Sequence, residues 1–317
     1  MKILVGLPLN DKQKKLLAAQ AGDDELLYKP TRTFTAADVA EAEVIIGNVA
    51  AELLPAAKKL RWLQLNSAGA DAYIKPGVFP QGVLLTNATG AYGLALSEHM
   101  LAQLLAMMKK LFVYYDNQKQ GVWKNEGPVT SVYGATVLVV GMGDIGSAFA
   151  TRVKALGAHV IGMRRRSLAV PPCADEMASL EQLDTYLAKA DIVASSLPGT
   201  AATLHLFNKE RFAAMKKGAY FLNIGRGSAV VSDDLCAAVA SGHLAGAAVD
   251  VTEPEPLPAN HPMWKVPGIY ITPHISGGFH LAATLDNLVH IAAANLAAFK
   301  AGKTLRNEVD FTTGYKK

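Results

Sequence analysis

The stretch VLVVGMGDIG, residues 137–146, joins a short apolar strand directly to three glycines. Gly141, Gly143 and Gly146 follow the G-x-G-x-x-G pattern, and the residues after them are typical of a helix. In this arrangement the first glycine permits a tight turn, the second lets a pyrophosphate approach the backbone, and the third allows close packing of helix on strand. The stretch therefore predicts a dinucleotide-binding strand–turn–helix unit.

Asp144 and Ile145 lie between the second and third glycines, at the predicted start of the helix. Backbone N–H groups at a helix start have no partner within the helix and can donate to phosphate. A carboxylate near phosphate would repel it. We therefore expect the Asp144 side chain to point away or cap the helix, which leaves the backbone to bind.

Three consecutive arginines follow the next predicted strand, in HVIGMRRRS at residues 159–167. Dinucleotide sites of this kind usually place an acid about 20 residues past the glycines, where it holds the ribose diol. Arg164, Arg165 and Arg166 occupy that place, and a guanidinium can pair bidentately with a 2′-phosphate. The sequence favours NADP(H) over NAD(H) as cofactor. The alternative is a solvated basic loop, in which case another residue would have to hold the ribose.

Alternation of short apolar runs with helical patterns extends over the whole chain. The runs KILVGLP, EVIIGN, WLQLN and VLLTN predict buried parallel strands before residue 90, and six further runs predict strands after Thr136. We expect a long helix that starts at Ser97 as its cap, and a last helix over about residues 280–300. The pattern predicts an α/β fold with doubly wound parallel sheets.

The composition is that of a globular protein, with 317 residues, 50% hydrophobic and 18% charged residues, and a formal charge of +4. This mild charge gives no support for a nucleic-acid partner, and no run of apolar residues is long enough to predict a membrane span. Cys173 and Cys236 are isolated, which predicts a reducing, cytoplasmic compartment with no disulfide framework and no metal site.

Ionisable residues come just after each of three predicted strands. Arg226 follows AYFLNI, His274 follows GIYITP, and two acids, Glu253 and Glu255, follow GAAVDV. Ligands bind beyond the carboxyl ends of parallel strands, so these side chains are expected to meet there. Arginine can bind a carboxylate and polarise a ketone, histidine can donate a proton, and a carboxylate can orient the imidazole. The set suits reduction of a 2-oxo acid. Spacing does not separate the two acids, since residues two apart in an extended segment face the same side.

The motifs VLVVGMGDIG, LNIGRGSAV, DVTEPEPLP and ITPHISGG, in this order and spacing, resemble those of the D-2-hydroxyacid dehydrogenase family. The resemblance implies Arg226, Glu255 and His274 as the catalytic set, because the family's acid lies five residues after the aspartate that ends its strand. Glutamate at this position argues against the related formate dehydrogenases. The resemblance further implies a group of cofactor contacts at Pro198, Thr203, Ile224 and Asp250. It also implies that the loop NSAGAD holds the substrate carboxylate through Ala68 and Gly69.

The resemblance also implies the domain layout and the reaction. Two Rossmann-like domains are expected, a flavodoxin-like substrate domain over 1–98 and 291–317, and an inserted cofactor domain over 99–290. The expected active site is the cleft between them, and the expected assembly is a homodimer built through the cofactor domain. The expected reaction is reduction of a small 2-oxo acid, of the glyoxylate or hydroxypyruvate kind, to the D-2-hydroxy acid, with hydride from NADPH and a proton from His274. Alternatives are a family enzyme for phosphite or bulkier 2-keto acids, and a nucleotide-sensing protein that resembles the corepressors of the family.

Overall fold

The computed structural model describes residues 1–165, 169–312 and 315–316. The chain divides into two compact units, one formed by Met1–Tyr92 with Phe279–Lys317 and the other by Gly93–Gly278. This division falls before both predicted domain boundaries. The substrate and cofactor roles given to the two domains stay a prediction.

The first unit contains a five-stranded parallel sheet with helices. Its elements in chain order are β1 (Lys2–Val5), α1 (Asp11–Ala21), β2 (Glu25–Tyr28), α2 (Ala36–Glu41), β3 (Val44–Ile46), β4 (Trp62–Gln64), β5 (Leu84–Thr86), α9 (Ala282–Lys300), β13 (Val309–Asp310) and β14 (Tyr315–Lys316). The sheet order β2-β1-β3-β4-β5 is the flavodoxin-like order. Strands such as β3 are buried along their whole length, as expected where both faces of a parallel sheet are covered.

The second unit contains a seven-stranded sheet, which is also parallel throughout. Its elements are α3 (Gly93–Met108), α4 (Leu111–Lys119), β6 (Thr136–Val140), α5 (Asp144–Ala155), β7 (His159–Met163), β8 (Glu176–Ala178), α6 (Leu183–Leu187), β9 (Ile192–Ser195), α7 (Lys209–Ala214), β10 (Ala219–Asn223), α8 (Ser232–Ala240), β11 (Leu244–Val249) and β12 (Ile269–Ile271). The order β12-β11-β10-β9-β6-β7-β8 reverses direction between β6 and β9. Ligands bind at such a switch point in open α/β sheets. The predicted fold class is confirmed.

An apolar core lies beneath this second sheet. Phe221 of β10 packs edge-on against Phe207 and Phe212, with ring centroids 4.9 and 5.3 Å apart. All three rings are essentially excluded from solvent, and burial of each contributes about 1.5–3 kcal/mol. The core therefore gives a rigid base for the loops at the carboxyl ends of β9 and β10.

Helix α3 begins four residues before the predicted start, so the prediction of Ser97 as its cap was wrong. Ser97 is buried within the helix, where its hydroxyl donates to the carbonyl of Gly93 at 2.5 Å. The Asp144 carboxylate accepts the backbone N–H of Gly93 at 3.0 Å and satisfies the true helix start. The last helix, α9, begins at Ala282 and ends at Lys300, close to the prediction.

No helix in the described ranges has both the length and the apolar character needed to cross a membrane.

Candidate functional site

In the glycine-rich turn between β6 and α5, the backbone at Gly146 lies very close to the carbonyl group of Gly141. A Cβ atom at Gly146 would lie 2.1 Å from the carbonyl oxygen of Gly141, so a larger residue cannot replace Gly146 without moving the turn. Gly143 caps α5 without a side chain, and the first bond of the helix runs from the Ser147 N–H to the Gly143 carbonyl. The N–H groups of the first turn therefore precede the helical ladder and fit an anion such as a pyrophosphate.

Asp144, which opens α5, has its carboxylate directed at the start of α3. Its Oδ2 atom accepts the Gly93 N–H at 3.0 Å, a separation of 51 residues along the chain. The Asp144 carboxylate therefore caps α3, although Asp144 itself belongs to α5. As expected, the Asp144 side chain caps a helix, but that helix is α3 and not α5. The N–H groups of the first turn of α5 are therefore not used by this carboxylate.

The arginine segment begins immediately after β7. Arg164 is half-buried and donates from Nη2 to the carbonyl of Ala169 at 2.9 Å. Its Nε–H is buried and has no acceptor among the described residues, which leaves a cationic donor without a hydrogen bond. Such a donor costs about 1–3 kcal/mol unless an acceptor is supplied, and a phosphate oxygen can accept a strong, charge-assisted hydrogen bond from a guanidinium. Arg165 is exposed, and Arg166 lies outside the described residues.

The loops after β9 and β10 contain three further predicted cofactor contacts, Pro198, Thr203 and Ile224. The buried Thr203 hydroxyl donates to the carbonyl of Pro198 at 2.7 Å and so shapes the turn after β9. Ile224 is buried, and its N–H donates to the Ser195 carbonyl at 3.0 Å. Ser196 extends this arrangement because its hydroxyl donates to the Gly141 carbonyl at 2.8 Å. These contacts join the β9 loop to the glycine-rich turn at the switch point of the sheet.

His274 and Glu255 form a hydrogen-bonded pair beyond the ends of β11 and β12. His274 Nδ1 lies 2.9 Å from Glu255 Oε2, and Glu255 Oε1 accepts the Thr252 N–H at 3.2 Å. Since a carboxylate only accepts, Nδ1 carries the proton in this bond. The other ring nitrogen, Nε2, is then the one that can exchange a proton with a ligand. The pair is partly open to solvent, with His274 47% and Glu255 40% exposed.

The backbone around His274 is fixed by the buried Asp250. The Asp250 carboxylate accepts the hydroxyl of Thr272 at 2.6 Å, the N–H of Ile275 at 3.1 Å and the N–H and hydroxyl of Ser276. His274 itself has a φ of 51°, an uncommon value for a residue other than glycine. The described contacts of Asp250 thus hold the segment on both sides of His274. The predicted contact of Asp250 with the cofactor stays a prediction.

Arg226 follows β10 in a turn that lies directly against the Glu255 segment. A Cβ atom at Gly227 would lie 1.9 Å from the carbonyl oxygen of Thr252, so only glycine permits this approach. Arg226 is half-buried, and its own carbonyl accepts a hydrogen bond from Asn223 at 2.9 Å. The predicted catalytic residues therefore come from neighbouring segments of the second unit. Ala68 and Gly69 belong to the first unit, in the loop after β4.

A family comparison matches most of the second unit. The model described as "D-isomer specific 2-hydroxyacid dehydrogenase, NAD binding domain" covers residues 101–276, more than half of the chain. The chain belongs to this dehydrogenase family. The predicted family is confirmed, and a pyridine nucleotide is the cofactor of the matched domain.

Three relatives resemble this dehydrogenase over nearly their whole length. Glyoxylate/hydroxypyruvate reductase A of Serratia proteamaculans is 31% identical, over 98% of this chain and 95% of that protein. The crystal structure of a D-isomer specific 2-hydroxyacid dehydrogenase family protein from Aeromonas salmonicida has a TM-score of 0.87 and 34% identity, with 98% and 99% of the two chains covered. The NADPH-dependent glyoxylate/hydroxypyruvate reductase of Sinorhizobium meliloti, in complex with NADP and sulfate, has a TM-score of 0.84 and 26% identity, with 99% of each chain covered.

A second histidine–glutamate pair, which sequence reasoning did not find, lies in the same unit of the dehydrogenase. His205 Nε2 is 3.2 Å from Glu253 Oε2, and the His205 N–H donates to the Ser228 carbonyl at 2.7 Å. Glu253 and Glu255, which spacing could not separate, therefore have different histidine partners. The φ of His205 is 49°, a backbone feature that the sequence does not signal.

Within the described part of the dehydrogenase, no three histidine, cysteine, aspartate or glutamate side chains lie close enough together to hold a metal ion.

Proposed function

We propose that this dehydrogenase reduces small 2-oxo acids, of the glyoxylate or hydroxypyruvate kind, to D-2-hydroxy acids with NADPH. The observation that carries the proposal is the His274–Glu255 pair, in which His274 Nε2 is left as the ring nitrogen that can exchange a proton with a substrate. The pair lies in the same unit as the glycine-rich turn that is proposed to bind the dinucleotide. The relatives from Serratia and Sinorhizobium, named as reductases of these two acids, support the choice of substrate.

Reduction requires a hydride at the carbonyl carbon, which the nicotinamide supplies when bound, and a proton at the carbonyl oxygen. In the proposed reaction the Arg226 guanidinium binds the substrate carboxylate and draws electron density from the ketone. The doubly protonated His274 gives its Nε2 proton to the oxygen as negative charge develops there. Glu255 keeps Nδ1 protonated and the ring oriented, and the partial exposure of His274 lets solvent restore the proton.

The preference for NADPH over NADH is proposed from Arg164. Its buried Nε–H, which has no acceptor in the part of the chain that the structure describes, supports a site for the 2′-phosphate, with Arg165 and Arg166 as additional cations. An acidic residue at this place would instead repel that phosphate. Gly141, Gly143 and Gly146, with the first-turn N–H groups, are proposed to hold the pyrophosphate.

The first experiment measures initial rates with glyoxylate, hydroxypyruvate, pyruvate and 2-oxoisocaproate, each with NADPH and with NADH. We expect glyoxylate or hydroxypyruvate to give the highest kcat/KM. One charge-assisted contact with the 2′-phosphate is worth about 2 kcal/mol, so NADPH should be favoured by about 30-fold. Equal rates with both nucleotides would contradict the NADPH assignment but not the reaction.

The same panel separates the two alternatives. A dehydrogenase for bulky acids would favour 2-oxoisocaproate, and a phosphite enzyme would reduce NADP only when phosphite is added. A nucleotide-sensing protein would bind NADPH without turnover of any acid. The names of the relatives do not favour these alternatives.

We also propose a homodimer formed through the second unit. This unit has several exposed apolar side chains, including Tyr115, Tyr133 and a fully exposed Trp123. The same unit has an apolar cavity of about 490 Å³, lined in part by Phe112, Trp264 and Tyr270. Surfaces with exposed aromatic residues are typical of protein interfaces. A cytoplasmic location is proposed as well, supported by two cysteines that form no disulfide.

Replacing Trp123 with aspartate is expected to raise the dissociation constant of this dimer by at least about 30-fold, the usual effect of losing an aromatic anchor. Sedimentation velocity over a concentration series measures the change. Leu27→Asp is the control, because Leu27 is an exposed apolar residue of the first unit. An unchanged dimer in Trp123→Asp would exclude this residue from the interface.

A further inference from the structure

In the loop that follows β4, the four consecutive carbonyl groups of residues 66–69 each accept a hydrogen bond from the protein. The buried Tyr92 hydroxyl donates to the Asn66 carbonyl, and the Ala88 N–H donates to the Ser67 carbonyl at 2.9 Å. Asn87 Nδ2 donates to the Ala68 carbonyl at 2.9 Å. The Gly69 carbonyl is satisfied within the loop, where the Ser67 hydroxyl donates to it at 2.6 Å. Burial raises the pKa of Tyr92 to about 12, so its hydroxyl remains a donor at physiological pH.

The N–H groups of Ala68 and Gly69 are in the opposite situation, whereas the N–H of Asn66 donates to Asn48 Oδ1 at 3.0 Å. Nothing in the described residues accepts a hydrogen bond from the backbone N–H of Ala68 or Gly69. Four consecutive carbonyls fixed by donors therefore lie next to two N–H groups that have no acceptor within the described ranges, and backbone N–H groups in such an arrangement can bind an anion. The geometry of that site depends on the groups that hold the carbonyls.

Asn87 is the most constrained of these groups. It is fully buried, and its Oδ1 accepts the Thr89 N–H at 3.1 Å, so the amide is oriented with Nδ2 toward the loop. Its backbone pairs with Asn307 in both directions. The Asn87 N–H donates to the Asn307 carbonyl at 3.1 Å, and Asn307 Nδ2 donates to the Asn87 carbonyl at 3.3 Å and to the Thr89 carbonyl at 2.6 Å.

The segment that contains Asn307 is itself anchored to α9. Asn295 on that helix donates from Nδ2 to the Arg306 carbonyl at 2.9 Å and accepts the Arg306 N–H at 2.7 Å. The buried Asn295 also donates to Gln64 of β4 at 2.9 Å. Hydrogen bonds therefore connect the segment after α9, through Asn307 and Asn87, to the loop after β4.

We propose that Asn87, held in place by Asn307, is a positioning residue for the substrate carboxylate, which the loop N–H groups of Ala68 and Gly69 bind. This inference rests on the proposed function, because it takes the anion to be the carboxylate of a 2-oxo acid. Asn87 acts through the Ala68 carbonyl and does not touch the substrate. Its loss leaves that carbonyl without a donor and lets the peptide between Ala68 and Gly69 rotate.

The experiment compares Asn87→Ala and Asn307→Gly with the wild-type enzyme. Asn87→Ala is expected to raise KM for the best 2-oxo acid about 10-fold, with kcat and KM for NADPH within about two-fold, since one buried hydrogen bond is lost. Asn307→Gly is expected to raise it about three-fold, because glycine keeps the φ of 60° but removes the donor to Asn87. Binding of oxalate to the NADP-loaded protein, measured by calorimetry, should weaken by the same factors.

Gln13→Ala is the matched control. Gln13 is buried in the same unit and donates to Asp286 at 2.7 Å, so its loss removes a comparable hydrogen bond away from the loop. We expect a lower Tm and an unchanged KM for this variant. If Asn87→Ala and Asn307→Gly also kept the wild-type KM and oxalate affinity, the positioning role would be overturned and the reductase function would stand. If the wild-type protein turned over no 2-oxo acid, the reductase function would fail, and the oxalate titration alone would decide the role of Asn87.

Discussion

His274→Gln is expected to lower kcat for 2-oxo acid reduction by about 1,000-fold, within the range for loss of a general acid. The amide of glutamine can accept or donate a hydrogen bond but cannot deliver a proton to the developing alkoxide. NADPH affinity should stay within about two-fold, because His274 is proposed to contact the substrate and not the phosphates. Single-turnover kinetics with NADPH and glyoxylate measure the first effect, and quenching of protein fluorescence measures the second.

The chain itself contains a matched control in His205. Both histidines bond to a glutamate, both have a positive φ, at 51° and 49°, and their side chains are 47% and 56% exposed. His205→Gln imposes the same backbone cost and removes the same kind of histidine–glutamate hydrogen bond, and we expect kcat to stay within about three-fold, since an exposed pair contributes little. Equal losses in both variants would mean that His274 has no special role as proton donor.

Arg164→Asp is expected to raise KM for NADPH by about 100-fold and KM for NADH by no more than about three-fold. The substitution removes charge-assisted hydrogen bonds to the 2′-phosphate, and the new carboxylate repels it. The ratio of kcat/KM for the two nucleotides measures the change in preference. Lys189→Asp is the control, because it makes the same change in net charge at an exposed position of the same unit. A similar loss for NADPH and NADH in Arg164→Asp would indicate that the arginine shapes the loop through Ala169 and does not bind phosphate.

The parts of the structure that local sequence determines were predicted well. The strand and glycine-rich turn around Gly141 follow from residues adjacent in the chain, and ten of the observed strands repeat the predicted apolar runs. The short strands β2, β8, β13 and β14 were not predicted. The start of α3 was missed because its cap, Asp144, lies 51 residues away from Gly93. The preference of helix N-caps for serine led to the prediction of Ser97, which in the structure lies within the helix.

In the candidate site, too, neighbouring sequence identified some residues, whereas contacts between distant residues could not be predicted. Position after a strand was enough to select Arg226 and His274, but alternation left Glu253 and Glu255 equivalent. Only the resemblance to a family favoured Glu255, and the pairing with His274 appears in three dimensions alone. The contact of Asn87 with Asn307 joins residues 220 positions apart, and neither side chain has a pattern that would have indicated it.

The two units differ in when all of their residues have been synthesised, because one is continuous in sequence and the other is not. The second unit is one uninterrupted stretch, whereas the first is composed of Met1–Tyr92 and Phe279–Lys317. On the ribosome, every residue of the second unit is available for folding before α9 has emerged. The sheet of Met1–Tyr92 lacks Asn295 and Asn307 until residues beyond the second unit have been translated. The loop after β4, which is proposed to bind the carboxylate, can therefore acquire its final geometry only after the whole second unit has been synthesised.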